Sequence, residues 1–160
     1  MRNGEGRGNS RSRALFPFAE RSLGLVLQTV PVADERRQVH GRLAAASEDP
    51  VERGHHVSRA TIGPDAQAAG VVVAAAEEAA RRADHAGAAG LYQRAAELVP
   101  DDDRAGAWEL RAGTELVLAG DAEAAVSHAR GLVARLPTGV LRARARLLVV
   151  VNWGGSGMSY

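Results

Sequence analysis

Five histidines (His40, His55, His56, His85, His128) and the acidic triplet Asp101-Asp102-Asp103 are the side chains of this 160-residue sequence best suited to chemistry. Imidazole and carboxylate make zinc sites, di-iron sites or acid–base pairs when their spacing brings them to one place. His55 and His56 are adjacent, so on a helix they point about 100° apart, and no His-Glu-x-x-His stretch occurs. The histidines read as surface or packing residues, and no metal is expected. As an EF-hand loop starting at Asp101, the chain supplies Asp103 and Gly106 at the third and sixth positions. Ala105 and Ala112 then stand at the fifth and twelfth, where calcium needs oxygen. Carboxylates just after Pro100 are better used to cap a helix and face its positive end.

Other catalytic chemistries are excluded by composition. All twenty basic residues are arginine, and there is neither lysine nor cysteine. A Walker A lysine, a Schiff-base lysine, thiol catalysis, thiolate metal sites and disulfides are therefore absent. Gly4 and Gly6 begin a dinucleotide fingerprint that fails at Asn9, and no strand precedes them. Gly154 and Ser156 begin a nucleophile elbow that fails at Met158. The chain is read as non-enzymatic and cofactor-free. The rival from another class is a small hydrolase using Asp101–Asp103 with His85 or His128.

The elements that would position these residues are helical. Alanine, the best helix former, occurs 32 times. Pro31, Pro64, Pro100 and Pro137 punctuate the chain at intervals of 33, 36 and 37 residues, and Asp49-Pro50 reads as an N-cap followed by proline at the first helical position. Helices are expected at 32–46, 50–61, 65–85, 88–99, 102–119, 121–136 and 139–151. Val39, Leu43 and Ala46 form a stripe on the first, Leu91, Ala95 and Leu98 on the fourth, and Ala125, Ala129 and Leu132 on the sixth. The β-branched runs Val71-Val72-Val73 and 147–151 lie inside longer helical patterns. The expected fold is all-α: antiparallel helix pairs in a short tetratricopeptide-like array with disordered ends. A shift of 37 residues lays Ala88 on Ala125, Ala96 on Val133 and Pro100 on Pro137, near the 34-residue tetratricopeptide period. The domain is placed at 23–151, flanked by a basic disordered segment, 1–22, and a disordered tail, 152–160.

Net charge is only +1, but it is unevenly spread. Residues 61–129 carry five arginines against twelve acids, while 130–160 carry five arginines and no acid. The acidic middle would repel a nucleic-acid backbone. Arg142, Arg144 and Arg146 are the candidate phosphate contacts, and their plainer use is as solvated positions on the last helix. DNA binding by this chain alone is not expected; a nucleic-acid accessory role for the arginine-rich ends is the remaining alternative. No apolar run reaches the ~20 residues of a membrane span or a full signal-peptide core, so a cytoplasmic location without a membrane role is expected.

Val30-Pro31-Val32-Ala33-Asp34-Glu35-Arg36-Arg37-Gln38-Val39-His40-Gly41-Arg42-Leu43-Ala44 resembles a segment of the large ATP-binding LuxR-family, MalT-like, transcriptional regulators of actinobacteria. Asp49-Pro50-Val51-Glu52-Arg53, the stretch opening with Gly63-Pro64-Asp65, and the segments 87–100 and 120–137 continue the likeness in order over roughly residues 25–148. The resemblance implies the central helical region of such a regulator, a fragment or short relative that binds a protein partner or small effector. The sequence departs from the family where chemistry matters: no Walker A motif can form without lysine, and the Phe-x-His-Pro-Leu segment is not recognisable at Phe18 to Ser22. Tyr92, Trp108 and the small-residue faces are the candidate partner surface, with packing the commoner use of each. With two partial repeats where at least three are usual, marginal stability and weakly cooperative unfolding are expected.

Overall fold

The computed structural model describes the backbone of residues 17–153 and the side chains of 32–152. It is all-α, and among the described residues there is no strand. The helices are α1 (Pro17–Ala46), α2 (Pro50–Ala60), α3 (Ala66–Arg81), α4 (His85–Glu97), α5 (Asp103–Leu118), α6 (Ala122–Arg135) and α7 (Val140–Trp153). The chain divides into two compact units after Arg36. The first contains the N-terminal stretch of α1, and the second contains the rest of α1 with α2 to α7. α1 begins at Pro17 and continues through Pro31, ahead of both the helix start expected at 32 and the domain boundary at 23. α7 ends at Trp153, just beyond 151. The disorder expected of the two ends concerns, for 1–16 and 154–160, residues outside those described.

Aspartates start the helices of the second unit. Asp49, Asp65, Asp84, Asp102 and Asp121 are the N-caps of α2 to α6, and each side chain accepts from backbone N–H groups two or three residues on. Each such cap satisfies a donor that the helix itself leaves unpaired. Asp102 therefore does what the acidic triplet was expected to do, and Pro50 follows its cap as read from the sequence.

The caps also set the period. Asp65 and Asp102 start the first helix of two successive pairs, Asp84 and Asp121 start the second, and each equivalent pair of residues is 37 apart. Ala83 (φ 61°) and Gly120 (φ 82°), just past the ends of α3 and α5, keep the same spacing and share the left-handed conformation. Val140 opens α7 at 37 residues from Asp103, so α7 stands where the first helix of a third pair belongs. Consecutive helices pack against one another through short turns, giving antiparallel pairs α3/α4 and α5/α6; α5 also touches α7, and α2 touches α4.

Small residues line the contacts. Ala69, Ala75, Ala76 and Ala79 on α3 meet Ala88, Leu91, Tyr92 and Ala95 on α4 within one core cluster. Gly54 allows the closest approach: a Cβ there would collide with the Cβ of Ala75. Alanine buries little area, so much of the stabilisation falls on Leu91, Leu98, Leu132 and Val72, the largest fully buried side chains, at about 1.5–3 kcal/mol each. Polar ties hold the turns. Arg94 on α4 donates to the carbonyls of Ser58 (3.2 Å) and Thr61 (2.8 Å) at the end of α2, and the Asp65 amide donates to Leu98 O (2.8 Å). Arg82 bridges Asp49 (2.8 Å) and Glu78 (2.7 Å), joining the start of α2 to the end of α3.

One stripe turns outward. Val39 and Leu43 are 50% and 43% exposed, and Ala44 is buried, the one such residue among the described side chains of α1. Beside them the contact of α1 with α2 is the His40–His56 pair, and no helix packs extensively on this part of α1 among the described residues. Among the described residues, no helix is long and apolar enough to cross a membrane.

Candidate functional site

The histidines serve as ties between helices. His85 Nδ1 on α4 donates to Glu115 Oε2 on α5 at 2.8 Å. His128 Nε2 on α6 lies 2.8 Å from the carbonyl of Glu109 and 3.2 Å from its carboxylate. His40 and His56 meet Nδ1 to Nδ1 at 3.0 Å, one ring donating to the other. No three His, Asp or Glu residues gather into a metal-binding group among the described residues. The hydrolase pairing is not assembled: His85 and His128 bond to Glu115 and Glu109, not to the acidic triplet. Asp102 is held by Arg104, whose guanidinium and backbone N–H lower its carboxyl pKa to about 2. Asp49 is lowered by the Arg82 hydrogen bond, and Glu78 by those from Arg81 and Arg82. These perturbed carboxylates sit at helix ends, where they hold turns together.

Among the clefts that border α5, two differ in character. The first, about 640 Å³, is polar and includes His85, Glu115, Arg111, Thr114, Tyr92 and Trp108 in its lining. Glu115 is 2% exposed and receives His85 and, at 3.4 Å, Arg111. Such a carboxylate is stable in the interior because it is paired. Thr114 spends its hydroxyl on the Leu110 carbonyl (3.1 Å). The cleft brings together Tyr92 and Trp108, the two aromatics singled out as a partner surface, but their use differs from that expectation. Tyr92 is 2% exposed: it belongs to the core, with Arg111 over its ring at 5.7 Å. Trp108 is half-buried against the same core, with Arg104 over its ring at 5.3 Å. Ala95 and Ala112 are too small to fill the space between α4 and α5, and the aromatic rings fill it instead.

The second cleft, about 620 Å³, runs between α5 and α7 and is apolar. Leu110, Val117 and Leu118 of α5 face Leu141, Leu147, Leu148 and Val151 of α7 across it. Leu118, Leu147 and Val151 are 57–67% exposed. Its charged lining residues are Arg111 and Arg144, and no acid lines it. Arg144 is exposed and has no ionic or hydrogen-bond partner among the described residues. The three candidate phosphate arginines do not form one patch. Positions i, i+2 and i+4 share a face on a strand, whereas on a helix the middle one points about 160° away from each of the other two. Arg144 accordingly faces the groove, while Arg142 is half-buried with its Nε enclosed and unpaired.

Comparison with family models, characterised proteins and solved structures finds no match for this chain. Local geometry therefore carries the functional argument. Outside the lining of that groove the 37-residue period marks a further difference: Ala76 on α3 and Gly113 on α5 are buried, and the equivalent residue on α7, Val150, is 71% exposed. Sequence reasoning missed the groove because it depends on α5 and α7 lying side by side. The uninterrupted run Leu147 to Val151 was its visible sign.

Proposed function

We propose that this chain is a non-enzymatic helical-repeat scaffold, a fragment or short relative of a LuxR-type regulator, acting in the cytoplasm by docking a protein partner in the α5–α7 groove. The observation that carries this reading is the apolar wall formed by Leu118, Leu147 and Val151, uncovered along its length. Monomeric soluble proteins rarely leave large contiguous apolar patches in water, and those they do leave tend to be interaction sites. Its elongated, open form between two helices suits a helix better than a small effector, which prefers an enclosed pocket. A nucleic-acid role is less well supported, because Arg142, Arg144 and Arg146 do not share a face.

The test uses the full chain as bait beside Leu147→Asp/Val151→Asp, with circular dichroism to show that both are folded. Cross-linking and mass spectrometry should find a partner joined to α5 or α7 residues and lost with the variant. A partner retained by the variant, or cross-linked only to α2 or α3, would refute the reading.

A further inference from the structure

Resting on the docking role just proposed, we infer that the occupant of the α5–α7 groove is an acidic amphipathic helix of another protein, about three turns long. The length follows from α7, whose lining residues run from Leu141 to Asn152, some 17 Å at 1.5 Å per residue. A helix is required because the groove is apolar: a docked segment must satisfy its own backbone groups there, as a helix does internally. Acidity follows from charge. Arg144 and Arg111 are the charged side chains of the lining, and α7 carries three arginines and no acid. Arg111 already has Glu115 at 3.4 Å, so Arg144, which shares the groove lining with Leu141, Leu147 and Leu148, is the cation left for the partner. A carboxylate on the docked helix, flanked by leucines, would meet it in a setting screened from water, where a charge pair is stronger than on an open surface.

A second copy of this chain is the competing occupant, and charge disfavours it. Pairing α7 with α7 across a two-fold axis sets an isologous patch against itself, bringing Arg144 and its neighbours Arg142 and Arg146 against their own counterparts. Residues 130–160 contain no acid to relieve this.

The probes are two capped synthetic helices of about 16 residues, long enough to begin to hold helical structure. Both carry leucines on one stripe; one has glutamates and the other lysines on the flanking positions. Binding to the full chain is read by titration calorimetry at about 0.1 M salt and again at high salt. The glutamate helix should bind at least roughly tenfold more tightly than the lysine helix, and more weakly at high salt. Arg144→Glu should reverse the preference, and Leu147→Asp should abolish both. Equal binding of the two helices, or an Arg144→Glu variant with the original preference, overturns the inference while leaving the groove as a docking site. So does a dimer in sedimentation that Leu147→Asp disperses, which would give the groove to a second copy. Binding or self-association untouched by Leu147→Asp overturns the inference and the docking role together.

Discussion

The packing of α2 on α3 makes one substitution change sign with position. Gly54 and Gly70 are both inside helices, and glycine there costs about 1 kcal/mol relative to alanine. At Gly70 a Cβ would meet nothing within 4 Å, so Gly70→Ala should realise that gain, up to about 1 kcal/mol and roughly 4 °C in Tm. At Gly54 the new Cβ would collide with that of Ala75, and its Cα lies only 3.6 Å away. Neither obstacle is the tip of a side chain that can rotate away. Carbon atoms rest about 3.5–4.0 Å apart, so α2 must retreat by on the order of 1–2 Å. That retreat strains the Asp49–Arg82 bridge and the Arg94 bonds to Ser58 and Thr61. Overpacking of this kind costs about 1–3 kcal/mol, and rigid neighbours place it at the upper end. After the helix-propensity gain, Gly54→Ala should be destabilised by about 2 kcal/mol. Urea unfolding of wild type and both variants, followed by circular dichroism, measures the difference directly. If Gly54→Ala proves as stabilising as Gly70→Ala, the close approach of α2 to α3 is wrong, and with it the small-residue basis of the core.

The left-handed residues after α3 and α5 predict a second reciprocal pair. Ala83→Gly should stabilise by up to about 1 kcal/mol, and Gly120→Ala should destabilise by a similar amount, because a Cβ in that conformation costs about 1–2 kcal/mol. Both shifts are read from the same urea curves. Asp65→Ala removes a carboxylate that accepts from the amides of Gln67 and Ala68, and should cost about 1 kcal/mol, whereas Asp65→Asn should restore most of it. His85→Ala leaves the buried Glu115 with Arg111 alone and should cost about 1–3 kcal/mol. The acid limb of stability should show Asp102. Its folded-state pKa, about 2, is depressed below the unfolded carboxylate, so its contribution is complete above about pH 4 and disappears as pH falls toward 2. Arg104→Gln should flatten the fall of Tm over that interval.

Much of this architecture was legible in local chemistry. Aspartate marks the starts of α2 to α6 through backbone rules, so the expected and observed helices from α2 to α7 agree within four residues at each end, the largest differences falling where α3 ends at Arg81 and α4 starts after Asp84; Pro31, by contrast, lies inside α1. The shift of 37 was visible in Pro100 and Pro137, but it is written more sharply in Asp65 with Asp102 and Asp84 with Asp121, residues whose capping role had been read only at Asp49 and the acidic triplet. What failed were judgements about which face a helix buries. Val39 and Leu43 have helical spacing, yet no helix packs extensively on this part of α1 among the described residues, and they remain exposed. Tyr92, a candidate contact residue whose commoner use was packing, is packed: small neighbours on α4 and α5 make room for it inside. Spacing within one helix does not reveal the size of side chains on the next.

The same size rule separates α7 from the helices it repeats. On α3 and α5 the positions equivalent to Val149 and Val150 are Ala75 and Ala76, then Ala112 and Gly113, and all four are buried. Small residues there let a neighbouring backbone come close, and the approach is tight: a Cβ at Gly113 would already touch Leu148 at 3.2 Å and His128 at 3.4 Å. Valines in the same register would hold a neighbour off by roughly the width of a methyl group. α7 is therefore unsuited to the close helix contact made by α3 and α5. A neighbour packing on these valines would have to interdigitate its side chains with them, as leucines do. Val150→Ala, which restores the small residue of the repeat, should consequently leave stability within about 0.5 kcal/mol of wild type, as expected for an exposed site outside the core. A loss of 1 kcal/mol or more, measured in urea at low protein concentration, would show that Val150 is packed within the monomer and that the size rule does not separate α7 from α3 and α5.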